Sequence, residues 1–251
     1  MTLLDGITFK APVLRVNNRS RSIDFYKKSL GFTLLSEENA LAIFTACDNR
    51  DRRFTIEESP STRTRAAEGA KKLDKIIVKA AKASDIEALL ANGAVTHQVF
   101  KGKNGYAFET ISPEGDHFIL HAEDKLADLS IVDRPVLPAQ PEFKGLSDYS
   151  FEEICLNVLS KDKSETFYRN VFDGEFPLKM SFVETQGPDL QVEPSTTWDI
   201  EILECQMPVE YDLGALKSNL EGKGYDDIYL DAKQKVLVIS DPSNIEIWFI
   251  K

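Results

Sequence analysis

The sequence predicts an α+β chain built from repeated units of one strand, one helix and three strands. Two internal repeats and a recurring turn chemistry carry that expectation. Residues 11–26, A-P-V-L-R-V-N-N-R-S-R-S-I-D-F-Y, return at 153–168 as E-I-C-L-N-V-L-S-K-D-K-S-E-T-F-Y, matching Val16 with Val158, Ser22 with Ser164, Phe25 with Phe167 and Tyr26 with Tyr168. Residues 108–121, F-E-T-I-S-P-E-G-D-H-F-I-L-H, return more faintly at 237–250, where Pro113 meets Pro242. Self-similarity on this scale marks a duplicated fold unit.

Element by element, Val13 to Val16 alternate as a strand that stops at Asn17-Asn18. Ser20 or Ser22 is expected to cap a helix whose stripe is Ile23, Phe25, Tyr26 and Leu30, ended by Gly31. Strands follow at 33–35, 41–45 and 54–58. A second unit runs as a strand at 75–80, a helix at 84–91 stopped by Gly93, and strands at 95–100, 106–111 and 117–121. Ser112-Pro113-Glu114-Gly115 places Ser, Pro and Gly where a type I turn wants them, and Asp241-Pro242-Ser243-Asn244 is its counterpart. The second half predicts a strand at 153–158, a helix at 163–172, strands at 178–184 and 199–205, a helix at 213–220 and strands at 227–230, 236–240 and 245–250. It is the same plan with pieces shortened. Pro135, Pro138 and Pro141 mark 123–150 as a linker between a domain at 1–122 holding two units and a degenerate copy at 151–251.

The chain has 251 residues and a net charge of −11. Residues 1–125 hold 19 Lys and Arg against 17 Asp and Glu, and the remainder 11 against 24, so the first part is +2 and the rest −13. An acidic second half repels phosphate backbones and anionic membranes, which argues against nucleic acid or a membrane as a partner and fits a solvated surface. Arg50, Arg52 and Arg53 stand beside Asp48 and Asp51 and are expected to form a loop. The first apolar pair, Leu3-Leu4, is cut by Asp5, and no stretch approaches the roughly 20 apolar residues of a membrane span, so the expected location is cytoplasmic. Cys47, Cys155 and Cys205 lack C-x-x-C spacing and are expected reduced and buried. Phe25, Tyr26, Trp198 and Trp248 are expected in the core, with Trp248 alternatively stacking on a ligand.

The strand followed by a Ser-x-x-F-Y helix at 22–26 and 164–168, with the Pro-containing hairpin before each closing strand, resembles the glyoxalase and bleomycin-resistance superfamily, the vicinal oxygen chelate proteins. The pairing of one well-formed copy with one shortened acidic copy is similar to the CppA family of streptococci. The superfamily resemblance implies tandem βαβββ modules whose mixed, curved sheets form clefts with helices packed outside. The CppA resemblance implies a proteinase that degrades complement component three, released or surface-associated if that role holds. The superfamily also implies a divalent ion held by His, Gln or Glu on cleft-facing strands, with open positions for substrate. Carried over by position, the ligand places fall at Ala11, Glu57, Lys75 and Ile119, and in the second half at Glu153 and Trp248. Ala11, Ile119 and Trp248 cannot ligate, and a Glu57–Lys75 ion pair would fill the vacated space. The expected metal site is degenerate in both copies, with no cofactor.

His117 and His121 share a strand face, but four strand residues separate their Cα atoms by roughly 13 Å, too far to share an ion comfortably. Either could act singly as a proton carrier or an anion-binding group. No G-x-S-x-G elbow, H-E-x-x-H helix or cysteine-protease signature is present, and the remaining dyad candidate is Cys47 with a first-half histidine, His97, His117 or His121. Three function classes follow: a peptidase acting on a complement protein, by resemblance alone; a metal-independent binder of a small molecule; and an interaction protein whose acidic half docks a basic partner. The residues favour the second, with Arg15, Glu57, Lys75, His117, Ile119 and His121 lining the first cleft and Glu153 and Trp248 the second. Arg15 should point inward, pairing either with an acidic ligand or with Glu57.

Overall fold

The computed structural model describes Leu4, residues 6–51 and residues 54–251. Leu3 and Asp5, and the loop expected at Arg52 and Arg53, lie outside the described residues. The chain runs β1 (Thr8–Val16), α1 (Arg19–Ser29), β2 (Thr33–Glu38), β3 (Leu41–Thr45), β4 (Phe54–Glu58), β5 (Leu73–Ala80), α2 (Ala83–Ala91), β6 (Gln98–Lys101), β7 (Tyr106–Ile111) and β8 (His117–His121). It continues through β9 (Ser130–Val132), β10 (Tyr149–Val158), α3 (Lys161–Val171), β11 (Lys179–Glu184), β12 (Ile200–Gln206), α4 (Leu213–Gly222), β13 (Ile228–Leu230), β14 (Val236–Ser240) and β15 (Glu246–Ile250). Four modules result, of which the first, second and fourth are complete βαβββ units and the third is only β10-α3-β11.

The modules pair in an order the sequence did not suggest. One sheet has eight strands in the order β13-β14-β15-β12-β1-β4-β3-β2, and the other has seven in the order β11-β10-β5-β8-β7-β6-β9. The first module therefore joins the fourth through antiparallel β1·β12, and the second joins the third through antiparallel β5·β10. Each half of the sequence contributes to both sheets. The expected linker is likewise built into the fold. Its β9 pairs with β6, Arg134 donates to the carbonyls of Leu90 and Ala94 behind α2, and Leu146 is fully buried.

Alternation explains the core. Leu14 and Val16 of β1, Ile76 and Val78 of β5, Ile154 and Leu156 of β10, and Leu203 and Cys205 of β12 are all buried on the helix-facing sides, in one apolar cluster. Aromatic rings stitch the sheets together: Phe118 of β8 lies 6.0 Å from Phe54 of β4 and 5.7 Å from Tyr26 of α1, and Tyr149 stacks on Phe32 at 4.5 Å. Phe25 sits half-buried at the margin of this core. Asn18, rather than either serine, caps α1 by accepting from the Arg21 amide at 2.9 Å. Gly31 takes φ +68 just beyond the helix, the left-handed turn expected of it.

The two echoes in the sequence are partners in space. Tyr168 of the second F-Y pair donates to Asp241 of the second Pro hairpin at 3.1 Å, and the buried Tyr26 phenol, pushed up by burial and by the charge of Asp116, belongs to the first. Asp241 also accepts from the amides of Ser243 and Ile245, closing its own turn. It is fully buried, and burial pushes its carboxyl up to about 6 from the ordinary 3.8. The folded chain thus holds this proton more tightly than the unfolded chain. The cost is absent below about pH 4, grows as pH rises towards 6, and reaches roughly 3 kcal/mol above it. Asp241→Asn should flatten that part of the stability curve, read as urea unfolding free energies at pH 4.5 and pH 7.

Candidate functional site

Opposite the core, each sheet has a second face, largely buried around Arg15 and His121, and the candidate residues lie on these two faces. On the eight-stranded sheet, β1 presents Ala11, Val13 and Arg15, and β4 presents Thr55 and Glu57 in register beside Val13 and Arg15. β12 should by alternation point Glu201 into the core with Leu203 and Cys205. A register shift between Val13 and Leu14, where Ile202 and Ile200 are the partners and Glu201 has none, turns it out instead.

Arg15 is thereby enclosed by carboxylates. Its Nη2 donates to Glu201 Oε1 at 2.8 Å, its Nε to Glu201 Oε2, and Nη2 also reaches Glu57 Oε2 at 3.4 Å and Ser195 Oγ at 3.1 Å. Ser195 in turn donates its amide to Glu201 at 2.9 Å. Burial works to lower the pKa of Arg15, but the hydrogen bonds and charge of Glu201, with Glu57 and Glu246 behind, raise it overall. One guanidinium faces three carboxylates, so the floor of this face keeps excess negative charge.

Beside that floor lies an apolar cleft of about 400 Å³, lined by Tyr229, Val236, Val238 and Trp248, with Asp231 and Glu246 at its edge. Trp248 is half-buried, not core, and its indole donates to Glu246 at 2.7 Å. Asp231 is occupied by the amides of Lys233, Lys235 and Val236, which leaves Glu246 as the cleft's acidic group. Trp198 is also only half-buried and donates to the Ser59 carbonyl at 2.8 Å, pinning a loop.

Lys75, His117, Ile119, His121 and Glu153 are on the other sheet, so the six residues expected in one cleft are divided between two. Lys75 pairs with Asp74 at 2.9 Å, and the expected Glu57–Lys75 ion pair does not form because their strands belong to different sheets. Lys75 stands between Cys155 and His117 in register, and Ile77 between Glu153 and Ile119. His117 Nδ1 lies 2.8 Å from Glu109, and Glu153 accepts from Lys179 at 2.6 Å. His121 Nδ1 accepts from the Glu123 amide at 3.2 Å, so Nε2 carries the proton, 2.8 Å from Glu152 Oε2. Burial lowers its pKa despite that carboxylate. The Cys155 thiol meets Ser181 Oγ at 2.7 Å, and burial pushes its pKa up although Ser181 and Lys75 oppose the shift. Cys205 is fully buried with its thiol raised, while Cys47 is only half-buried, unlike the expectation.

The residues present do not fit the divalent ion of the wider fold. Ala11 and Ile119 offer no donor atoms, and the carboxylates that gather on the eight-stranded sheet already hold the Arg15 guanidinium. Among the described residues no cluster of three His, Cys, Asp or Glu side chains has metal-binding geometry.

Comparison with known proteins agrees with this architecture. The family described as CppA N-terminal matches residues 9–132, and that described as CppA C-terminal matches residues 146–249. The crystal structure of the cppA protein from Streptococcus pneumoniae superposes with a TM-score of 0.85 at 32% identity, covering 98% of both chains. The chain belongs to the CppA family. Glyoxalase I from Zea mays shares the fold at a TM-score of 0.57 and 12% identity, covering 98% of this chain and 92% of that one. A search of curated proteins finds no match. No helix among the described residues is long and apolar enough to cross a membrane.

Within this family member, removing Arg15 tests whether it balances the buried carboxylate. Arg15→Leu leaves Glu201, whose side chain is only 10% exposed, without its counter-charge and should cost about 3–5 kcal/mol at pH 7. The double variant Arg15→Leu, Glu201→Leu should recover most of that, measured by urea unfolding.

Proposed function

We propose that this CppA-family chain is a metal-independent binder of a small molecule, and that its ligand lies on the eight-stranded sheet between Arg15 and Trp248. The observation that carries the reading is the guanidinium of Arg15 set among Glu201, Glu57 and Glu246. A positive charge in the place of an ion keeps the carboxylates in one site without metal, and leaves an apolar, aromatic wall beside them. Concave apolar space with a few fixed polar groups is what small-ligand sites offer. The ligand chemistry that matches is a flat apolar or aromatic body against Trp248 and Tyr229, with a protonated amine towards Glu246.

Cleavage of a complement protein, the activity implied by the family resemblance, draws no support from the thiols. Cys155 and Cys205 both have raised pKa values, the opposite of an activated nucleophile. Cys47 follows β3 in one sheet, while His97, whose amide donates to Glu109 of β7, and His117 and His121 of β8 belong with the other.

Calorimetric titration of the purified chain with aromatic amines and matched aromatic carboxylates, in the presence of chelator, tests the proposal. Amines should bind, carboxylates should not, and Trp248→Ala should weaken the amines by about 1–3 kcal/mol, as loss of a stacking ring does. Equal silence from every ligand, or binding that appears only when a divalent metal is added, would overturn it.

A further inference from the structure

We propose that β11 is a docking edge for an extended, basic segment of a partner polypeptide, which adds antiparallel to it as a further strand. In the fourth module β15 lies parallel beside β12, and β14 and β13 then extend the sheet, β14 antiparallel to β15. The third module repeats the first step, with β11 parallel beside β10, and stops there, so β11 is the terminal strand of its sheet. Where the fourth module has two more strands under its helix, the third has a groove of about 640 Å³ whose walls include Tyr168, Phe176, Met180 and Phe182. Phe182 and Met180, on the helix-facing side of β11, remain half-buried, and Val183 on the other side is 43% exposed.

The chain itself shows what covers such a surface. β14, V-L-V-I-S, runs antiparallel along β15 with alternating apolar side chains, two of which, Leu237 and Ile239, are buried. The matching occupant of the groove beside β11 is a strand of the same alternation, gaining main-chain hydrogen bonds from the edge and apolar pockets from the groove. Charge chooses its source. The groove walls are balanced, Glu165 and Glu175 against Arg169 and Lys179, so the field of the whole chain, 41 Asp and Glu against 30 Lys and Arg, is what steers a Lys- or Arg-flanked segment in and repels a second copy of the same acidic chain.

The probe is a synthetic peptide bearing V-L-V-I-S between pairs of lysines, titrated into the full-length chain by fluorescence anisotropy. Saturable binding is expected, weakening about tenfold or more between 50 and 500 mM salt, with Met180→Lys and Phe182→Asp each abolishing it. If either variant misfolds, hydrogen exchange on the unmodified chain decides: the amides of 179–184 should slow when peptide is added. Unchanged exchange there at saturating peptide would overturn the proposal, as would equal binding of a glutamate-flanked peptide. Protection of β11 that rises with protein concentration alone would assign the edge to a second copy and also overturn it.

Discussion

Everything positional in this molecule depends on two antiparallel strand pairs, β1 with β12 and β5 with β10. Each joins a module from the first half of the chain to one from the second. Had the modules paired in sequence order, Arg15 would face the second module and Glu201 would be in another sheet. Pairing first with fourth brings Arg15, Glu57, Glu201 and Glu246 to one surface, and pairing second with third leaves Lys75, His117 and Glu153 on another. The chemistry open to each face follows from that choice.

Both central pairs contain register shifts, and charge sits at each. Lys10 and Glu201 fall at the irregular points of β1·β12, and Glu152 and Asp74 at those of β5·β10. By strict alternation all four would point into the apolar core with Leu14, Leu203, Ile154 and Ile76. A bulge turns each aside, and each then meets an oppositely charged or titratable partner: Glu204, Arg15, His121 and Lys75 respectively. Burying any of them unpaired would cost several kcal/mol. The bulges are therefore what let the sheets keep these charges, and they furnish the faces opposite the core with their ion pairs.

Element types were legible because alternation and turn chemistry are local. Strands, helices and both Pro hairpins came from the residue pattern to within a few positions, and the F-Y and hairpin echoes located the duplication. Module pairing was not legible, since nothing within a strand states which distant strand it will meet. That is why six residues expected in one cleft are divided between two sheets, and why Lys75 found Asp74 and not Glu57. Arg15 was legible as inward-facing from its alternation with Ala11 and Val13. Glu201 was missed, although a glutamate in register with Leu203 and Cys205 is the kind of local conflict that signals a bulge. Trp248 was expected chiefly in the core because tryptophan usually packs; at the outer face of β15 it lines a cleft instead. The proline-rich segment read as a linker because periodicity is weak there, yet short β9 and buried Leu146 fasten it to the fold.

The fold stands on pairing between halves, and splitting the chain tests that most directly. Two polypeptides divided between Pro138 and Ala139 would each carry central strands stripped of one neighbour, β1 and β5 on one and β10 and β12 on the other. Denaturant unfolding followed by circular dichroism should show no cooperative transition for either piece alone, and recovery of a single transition when the two are mixed. A cooperative transition in each separate piece, unchanged by mixing, would mean that each half closes its own sheets and would contradict the account.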